Sequence, residues 1–161
     1  MDLFQILLVL STLLCSLVAG FLFAFAIVVM PGIKALPDRE FIRAFQVMDG
    51  VIQNNQPLFV IVWVGSVLTL IVSAIFGIWQ LDSISRTALL LATFAYIVGV
   101  QLPTITINVP LNNRLQTLDV SSLDNIMQKR VRDDFESRWN FWNSFRTILA
   151  SLVSVTLMIL F

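Results

Sequence analysis

Three polar side chains share one face of an otherwise apolar stretch near the C-terminal end of the sequence. Trp139, Asn143 and Arg146 follow one another at spacings of four and three residues, which places them on one side of a helix. Only uncharged residues follow Arg146. An arginine within a membrane span costs at least a few kcal/mol unless it is paired or reaches the headgroups. Arg146 therefore either extends towards the membrane surface or organises a buried polar cluster.

Amide side chains flank two other apolar stretches. The run Gln53-Asn54-Asn55-Gln56-Pro57 precedes one of them, and the run Asn108-Val109-Pro110-Leu111-Asn112-Asn113-Arg114 follows the other. If all the apolar stretches cross a bilayer, both runs lie on the same side of the membrane as Trp139. Buried amides in lipid are expected to pair with one another. The sequence therefore predicts a shared polar pocket at this depth, the alternative being separate interfacial amides that cap helix ends.

The residue types that are absent limit the chemistry of such a pocket. Histidine does not occur, and Cys15 is the single cysteine, inside an apolar run. Haem ligated by histidine, the common zinc sites, iron–sulfur clusters and a Ser-His-Asp triad are thereby excluded. We expect Cys15 to be a small buried hydrophobe. Basic and acidic residues balance at ten each without a basic cluster, so no nucleic-acid partner is predicted.

These side chains must be positioned by helices that cross a membrane. The chain has 161 residues, of which 58% are hydrophobic and 12% charged, whereas a soluble domain carries about 25% charged residues. A bilayer core needs roughly 20 apolar residues per helix, and four stretches meet this requirement, at 3–30, 57–80, 87–109 and 140–161. No basic region precedes the first stretch, so we expect it to be a span rather than a cleaved signal. We predict an all-α, four-helix transmembrane bundle that forms one integral membrane domain over residues 1–161.

The basic residues predict the orientation of this bundle. The connection between spans one and two and the connection between spans three and four carry eight of them, whereas the opposite side carries only Arg86. Basic residues are enriched in cytoplasmic connections. We therefore expect both termini to lie outside and the longer connections to lie in the cytoplasm. The eight residues are Lys34, Arg39, Arg43, Arg114, Lys129, Arg130, Arg132 and Arg138.

The connections themselves contain helical patterns. Pro37-Asp38-Arg39-Glu40 is typical of a helix start, and the apolar residues that follow recur at helical spacing, at Phe41, Phe45, Met48 and Ile52. This pattern predicts a short amphipathic helix between spans one and two, which either lies along the membrane surface or caps the bundle. A second short helix is predicted around residues 123–135, with a mobile loop as the alternative.

Small residues recur every four positions in two of the spans. They are Thr12, Ser16, Gly20 and Ala24 in span one and Gly65, Thr69, Ser73 and Gly77 in span two. Such residues let helices approach closely in lipid. They predict tight packing within the bundle or, alternatively, a seam for a second copy or another membrane protein.

The order of these motifs over the whole chain resembles a known family. The pattern consists of Gly20, Met30-Pro31-Gly32, Leu36-Pro37, Pro57, Asn108-Val109-Pro110-Leu111-Asn112 and, finally, Trp139, Trp142, Asn143, Arg146 and Thr147. It resembles the anthrone oxygenase-like family of small four-helix membrane proteins, much of which is catalogued as a domain of unknown function. Some fungal members are associated with the oxidation of polyketide anthrones to anthraquinones. The resemblance implies such an activity for this chain.

The implied site would hold a lipophilic aromatic small molecule on the cytoplasmic side. An anthrone reacts with oxygen once it is deprotonated, so no metal or flavin is required and no cofactor is expected. The site would need a base, a cation for the enolate, aromatic walls and exclusion of water. Asp49 or Glu136 is the candidate base. The candidate catalytic residues are Arg146, Asn108 and Asn143, and the candidate substrate-binding residues are Trp139, Trp142, Asn54 and Asn112.

A second function from a different class remains open at this point. The chain would then be a non-catalytic membrane subunit or scaffold, surrounded by lipid and associated with a partner through its small-residue seams. A buried pocket containing Asn108, Asn143 and Arg146 would favour the first function, and a filled bundle interior would favour the second. A transporter is disfavoured because four helices without an inverted repeat or paired charges offer little for alternating access.

Overall fold

Five helices account for most of the structure, a computed structural model that describes residues 1–160. Helix α1 comprises Leu3–Lys34, α2 Asp38–Gln53, α3 Pro57–Gln80, α4 Ser83–Gln116 and α5 Asn125–Ile159, and a single 3₁₀ turn forms at Val120–Ser122. The described part of the chain contains no β-strand. Four of the helices, α1, α3, α4 and α5, are long and apolar enough to cross a membrane. The predicted all-α bundle with four spans and one additional helix is confirmed.

Helix α3 coincides with the predicted span 57–80, and the other three spanning helices extend beyond the predicted bounds. Helix α4 begins before and ends after the predicted 87–109, and α5 joins the predicted helix around 123–135 to the fourth span without a break. Neither glycine nor proline occurs between Asn125 and Trp139, so nothing in that sequence ends the helix. The predicted end of the fourth span at Phe161 lies outside the described residues.

The bundle is organised around α1, which packs against both α3 and α5. The hydroxyl groups of Ser11 and Ser73 are 2.9 Å apart and join α1 to α3. A side chain at Gly65 would contact Leu14 of α1. The small residues of α3 are therefore used in packing within this chain, as the first of the two alternatives predicted. Cys15 is fully buried in the apolar core that the spanning helices share, as expected for a small buried hydrophobe.

Helix α2 caps one end of the bundle. Its buried side chains Phe41 and Phe45 pack against Phe135 and Trp139 of α5, with the ring centroids of Phe45 and Phe135 4.6 Å apart. Of the two arrangements predicted for the amphipathic helix, the observed one is therefore that in which it caps the bundle. We call this end of the bundle, where α2 lies, the capped end.

Arg132 fixes α2 to the helices beneath it. Its guanidinium donates hydrogen bonds to the carbonyl oxygens of Lys34 and Leu36 at the end of α1, at 2.7 and 2.9 Å. The same side chain forms ion pairs of 2.9 Å with Asp38 at the start of α2 and with Glu136. Carbonyl groups at a helix end lack donors within the helix, and here the guanidinium of Arg132 supplies those donors. The position of α2, which carries Asp49, is thereby defined.

Two of the spanning helices widen locally into π-helical turns. One such segment is Phe25–Val29 in α1, and two follow each other in α4, at Tyr96–Gln101 and Thr104–Asn108, on either side of Pro103. Proline lacks the backbone N–H that an α-helix would use, which accounts for the disturbance at this position. Such turns often occur at functional sites, and these three border the region that holds the buried polar residues.

Candidate functional site

A cavity of about 680 Å³ lies within the bundle, beneath α2. Its size falls in the range of small-molecule sites, roughly 300–1,000 Å³. Most of its wall is apolar or aromatic, including Phe21, Phe25, Phe59, Val67 and Ile97. Polar side chains from three helices, α2, α4 and α5, converge on the same cavity. They are Asp49, Gln53, Gln101, Thr104, Asn108, Asn112, Asn113, Asn143 and Arg146.

Arg146 is buried at the wall of this cavity, with 3% of its surface exposed. Its guanidinium donates to the hydroxyl of Thr104 at 2.8 Å, to Oδ1 of Asn143 at 3.2 Å and to the carbonyl oxygen of Trp142 at 3.3 Å. These bonds use three of the five N–H donors of an arginine. Within residues 1–160, no carboxylate forms an ion pair with Arg146. The site therefore contains a buried cation with donors to spare, rather than an arginine that reaches the headgroups.

Asn143 holds Arg146 in place from the same face of α5. It is 1% exposed, and its Nδ2 donates to the carbonyl oxygen of Leu22 in α1 at 3.0 Å while its Oδ1 accepts from Arg146. The backbone of α1 widens three residues later, at Phe25. Because both ends of the amide are engaged, Asn143 fixes the guanidinium relative to two helices.

Two buried amides of α4 have one unused hydrogen-bonding atom each. Asn108 is 3% exposed, and its Nδ2 approaches the carbonyl oxygen of Trp139 at 3.4 Å, while its Oδ1 has no partner in the described part of the chain. Gln101 is 7% exposed and accepts from the indole N–H of Trp63 at 2.8 Å, while its Nε2 has no partner among those residues. Buried polar atoms are rarely left unsatisfied. The residues at the cavity wall thus include one buried acceptor and one buried donor that no described group uses.

A carboxylate occupies the capped end of the cavity. Asp49 is 4% exposed, and its Oδ1 accepts from Nδ2 of Asn112 at 2.7 Å. Its Oδ2 accepts from Gln53 at 2.7 Å and from Gln116 at 3.1 Å. Oδ1 of Asn112 in turn accepts from the indole N–H of Trp139 at 2.8 Å. Neutral amides thus surround Asp49, and no basic side chain in the described part of the chain forms an ion pair with it.

Five of the seven residues predicted for the site line this cavity. They are Arg146, Asn108, Asn143, Asn112 and Trp139. Trp142 does not line it, because its ring packs edge-on against Phe141 and Phe145, with centroids 5.5 Å apart in each case. Asn54 is exposed at the end of α2 and also lies outside the cavity wall.

The two candidate bases have different surroundings. Glu136 lies outside the cavity wall and forms an ion pair with Arg132, as described above. Asp49 is part of the wall. Of the two carboxylates, the cavity therefore contains only Asp49.

Several residues at the cavity wall were not among the predicted ones. Gln101, Thr104 and Asn108 follow one another at spacings of three and four residues, so the three share one face of α4. The same spacing identified Trp139, Asn143 and Arg146 in α5. A polar stripe within an apolar span was thus the signal that would have found Gln101 and Thr104. Trp63 has no amide or charged side chain three or four residues away that would have marked it, so no comparable pattern pointed to it.

Comparison with known proteins gives one match. The family model described as Anthrone oxygenase matches residues 46–156, more than half of the chain. The matched region begins in α2, contains all the predicted site residues and ends near the end of α5. Neither a curated protein nor a solved structure matches the chain significantly.

Proposed function

The chain belongs to the anthrone oxygenase family, as its motifs predicted, and on this premise we propose that it oxidises a lipophilic aromatic ketone with dioxygen. The observation that carries the proposal is Arg146, a buried guanidinium at the cavity wall with unused donors and no carboxylate partner among the described residues. A preorganised cation in an apolar cavity stabilises an anion that forms during a reaction. The anion in this case is the enolate of an anthrone.

The two charged groups of the cavity would serve the two reacting positions of an anthrone. Arg146 follows Trp139 by seven residues, about 10 Å along the helix at 1.5 Å per residue. Asp49 is linked through Asn112 to the indole of Trp139. An anthrone has its carbonyl oxygen and its acidic methylene on opposite sides of the central ring. Arg146 would bind the oxygen while Asp49 takes a proton from the methylene.

The reaction needs no redox cofactor, because the enolate itself reduces oxygen. Asp49 removes one methylene proton, and the electron pair passes to the carbonyl oxygen at Arg146. The enolate gives one electron to dioxygen, and the two radicals combine to form a C–O bond at the former methylene carbon. After protonation, loss of the second proton from that carbon forms the new carbonyl and breaks the O–O bond, and hydroxide leaves as water. One anthrone and one dioxygen thus give one anthraquinone and one water.

The remaining wall supports binding of a flat aromatic ring. The ring of Trp139 lies 5.7 Å from that of Phe25 and 5.5 Å from that of Phe45. Aromatic side chains contribute stacking and a large apolar contact area. Apolar walls also exclude water, which strengthens the interaction between the enolate and Arg146.

Oxygen consumption and product formation test this proposal together. The protein in phosphatidylcholine nanodiscs is supplied with anthrone in air, and anthraquinone is quantified by chromatography while an oxygen electrode records consumption. We expect anthraquinone to form faster than in empty nanodiscs, with one dioxygen consumed per anthraquinone. Heat-denatured protein is the control for spontaneous oxidation.

Two other outcomes would contradict the proposal. Binding of anthraquinone without any turnover would refute the oxidation and retain a binding protein. The absence of both binding and turnover would refute the proposed site altogether and favour the non-catalytic scaffold, which would then be tested by isolating a membrane protein partner.

We also propose that both termini lie outside, so that the capped end of the cavity faces the cytoplasm. The support is the eight-to-one distribution of basic residues over the two sides. In a Cys15→Ala background, a membrane-impermeant maleimide applied to intact cells is expected to label Ser83→Cys and to spare Ser121→Cys. Both positions are exposed, so accessibility depends on the side of the membrane. Labelling of Ser121→Cys from outside would contradict the orientation.

A further inference from the structure

The cavity is open on one side, between α3 and α4. Helix α3 packs against the first part of α4, Ser83–Ala95, and the two backbones separate beyond it. In the described part of the chain, two side-chain hydrogen bonds join α3 to the later part of α4, one between the hydroxyl groups of Ser66 and Tyr96 and one from the indole N–H of Trp63 to Gln101, each 2.8 Å long. We call this opening the α3–α4 gap.

Aliphatic residues border the α3–α4 gap. Val64, Leu68 and Ile71 on α3 and Ile105 and Val109 on α4 line the cavity and also have between 39% and 66% of their surface exposed. They lie within helices that are apolar enough to span a membrane. In a bilayer, residues of this kind face lipid chains, so the α3–α4 gap would open the cavity to the bilayer.

The wall of the cavity is divided into two chemically different parts. One part is aromatic, with Phe21 and Phe25 of α1, Phe45 of α2, Phe59 and Trp63 of α3 and Trp139 of α5. The part that leads to lipid is aliphatic. Three fused rings placed between Arg146 and Asp49 would fill only part of 680 Å³. The remaining space is an apolar passage that leads from the ring position to the bilayer.

We propose, resting on the proposed function, that the natural ligand is an aromatic ketone with a linear aliphatic chain that lies in the α3–α4 gap. The ring occupies the polar end of the cavity, and the chain extends through the gap into the bilayer. Lipid chains are as apolar as leucine side chains, so a chain methylene gains little and loses little when it moves from lipid into the gap. The ring thus provides the recognition, and the gap lets the protein accept chains of any length directly from the membrane.

Equilibrium binding of two probes tests this inference. The probes are anthraquinone and anthraquinone with a dodecyl chain on an outer ring, both stable products. Binding is measured in phosphatidylcholine nanodiscs, and empty nanodiscs give the partition of each probe into lipid. Relative to its concentration in the bilayer, we expect the dodecyl probe to bind the native protein within about threefold of anthraquinone, because the chain contributes little.

A matched pair of substitutions identifies the gap. Leu68 borders the gap and Leu152 faces away from the cavity on α5, and each is 58% exposed. Leu68→Trp is expected to weaken binding of the dodecyl probe by at least about tenfold through steric conflict, while binding of anthraquinone stays within about twofold. Leu152→Trp is expected to change neither. If Leu68→Trp does not fold, Ile105→Trp narrows the gap from α4.

The outcomes separate this inference from the proposed function. If anthraquinone binds and the dodecyl probe does not, or if Leu68→Trp weakens both probes equally, the chain does not lie in the gap and the inference is wrong. The proposed site for the ring is then unaffected. If neither probe binds the native protein, both the inference and the proposed function are wrong.

Discussion

Replacing Arg146 with lysine is expected to lower the rate of anthrone oxidation by about a hundredfold or more, comparable to the loss of one donor to a developing oxyanion. Lysine keeps the positive charge, but its ammonium cannot reproduce the planar fork that binds Thr104 and Asn143 while presenting further donors to the cavity. The measurement is the initial rate of anthraquinone formation in nanodiscs. Arg138→Lys is the matched control, because Arg138 is exposed on the same helix and is expected to retain the native rate.

The stability of the same variant shows whether Arg146 belongs to a buried cluster. We expect Arg146→Lys and Asn143→Ala each to lower the thermal unfolding midpoint in detergent. Their effects on the free energy of unfolding should not add, because contacting residues commonly show an interaction energy of about 0.5–3 kcal/mol. Full additivity, or a native rate and midpoint for Arg146→Lys, would show that the guanidinium acts alone or not at all.

Replacing Asp49 with asparagine is expected to lower the rate of oxidation by about a hundredfold or more, the smaller end of the usual effect of a general base. The same change should reduce the free energy of unfolding by about 1–3 kcal/mol, because it leaves a buried donor unsatisfied. In the variant, the amide of Asn112 cannot compensate by rotating through 180°. Its Oδ1 accepts from Trp139, and its Nδ2 therefore still needs an acceptor at position 49. Gln116 is similarly fixed, because its Nε2 also donates to the carbonyl oxygen of Gln46.

Two further variants separate the base from its supporting network. Gln53→Ala removes one hydrogen bond to Asp49 and keeps the carboxylate, so we expect a stability loss of about 1 kcal/mol and a rate within a fewfold of the native one. Asp134→Asn, at an exposed position of α5, is the matched control and should change neither quantity. A native rate for Asp49→Asn, measured well below its unfolding midpoint, would contradict the role of Asp49 as the base.

The sequence predicted those parts of the site that depend on one helix or on the number of crossings. The spacing of Trp139, Asn143 and Arg146 defines one face of α5 whatever surrounds it, and all three line the cavity. Counting the spans placed Asn108 and Asn112 near the same end of the bundle, as observed. Hydropathy similarly predicted the four spans, because lipid requires long apolar helices.

The sequence could not predict features that depend on how the chain turns or on contacts between helices. Asn54 follows the last turn of α2, and Asn55 has a φ of 58°, so the chain reverses there and the amide of Asn54 stays exposed. Trp142 lies close in sequence to Trp139 but packs against Phe141 and Phe145 instead. The roles of Gln53 and Gln116 depend on where α2 packs, and this position is defined by the hydrogen bonds and ion pairs of Arg132.

The π-helical turns of α4 have a consequence for insertions and deletions in this helix. A π-helical turn contains one residue more than an α-helical turn, so losing one residue within Tyr96–Gln101 or Thr104–Asn108 would let the wide turn become a regular one. Asn112, which lies beyond both segments, would then keep the face that meets Asp49. In a regular α-helical span, by contrast, a one-residue deletion rotates everything beyond it by about 100°. Relatives that differ by one residue in this segment should therefore be aligned on the polar residues that follow it.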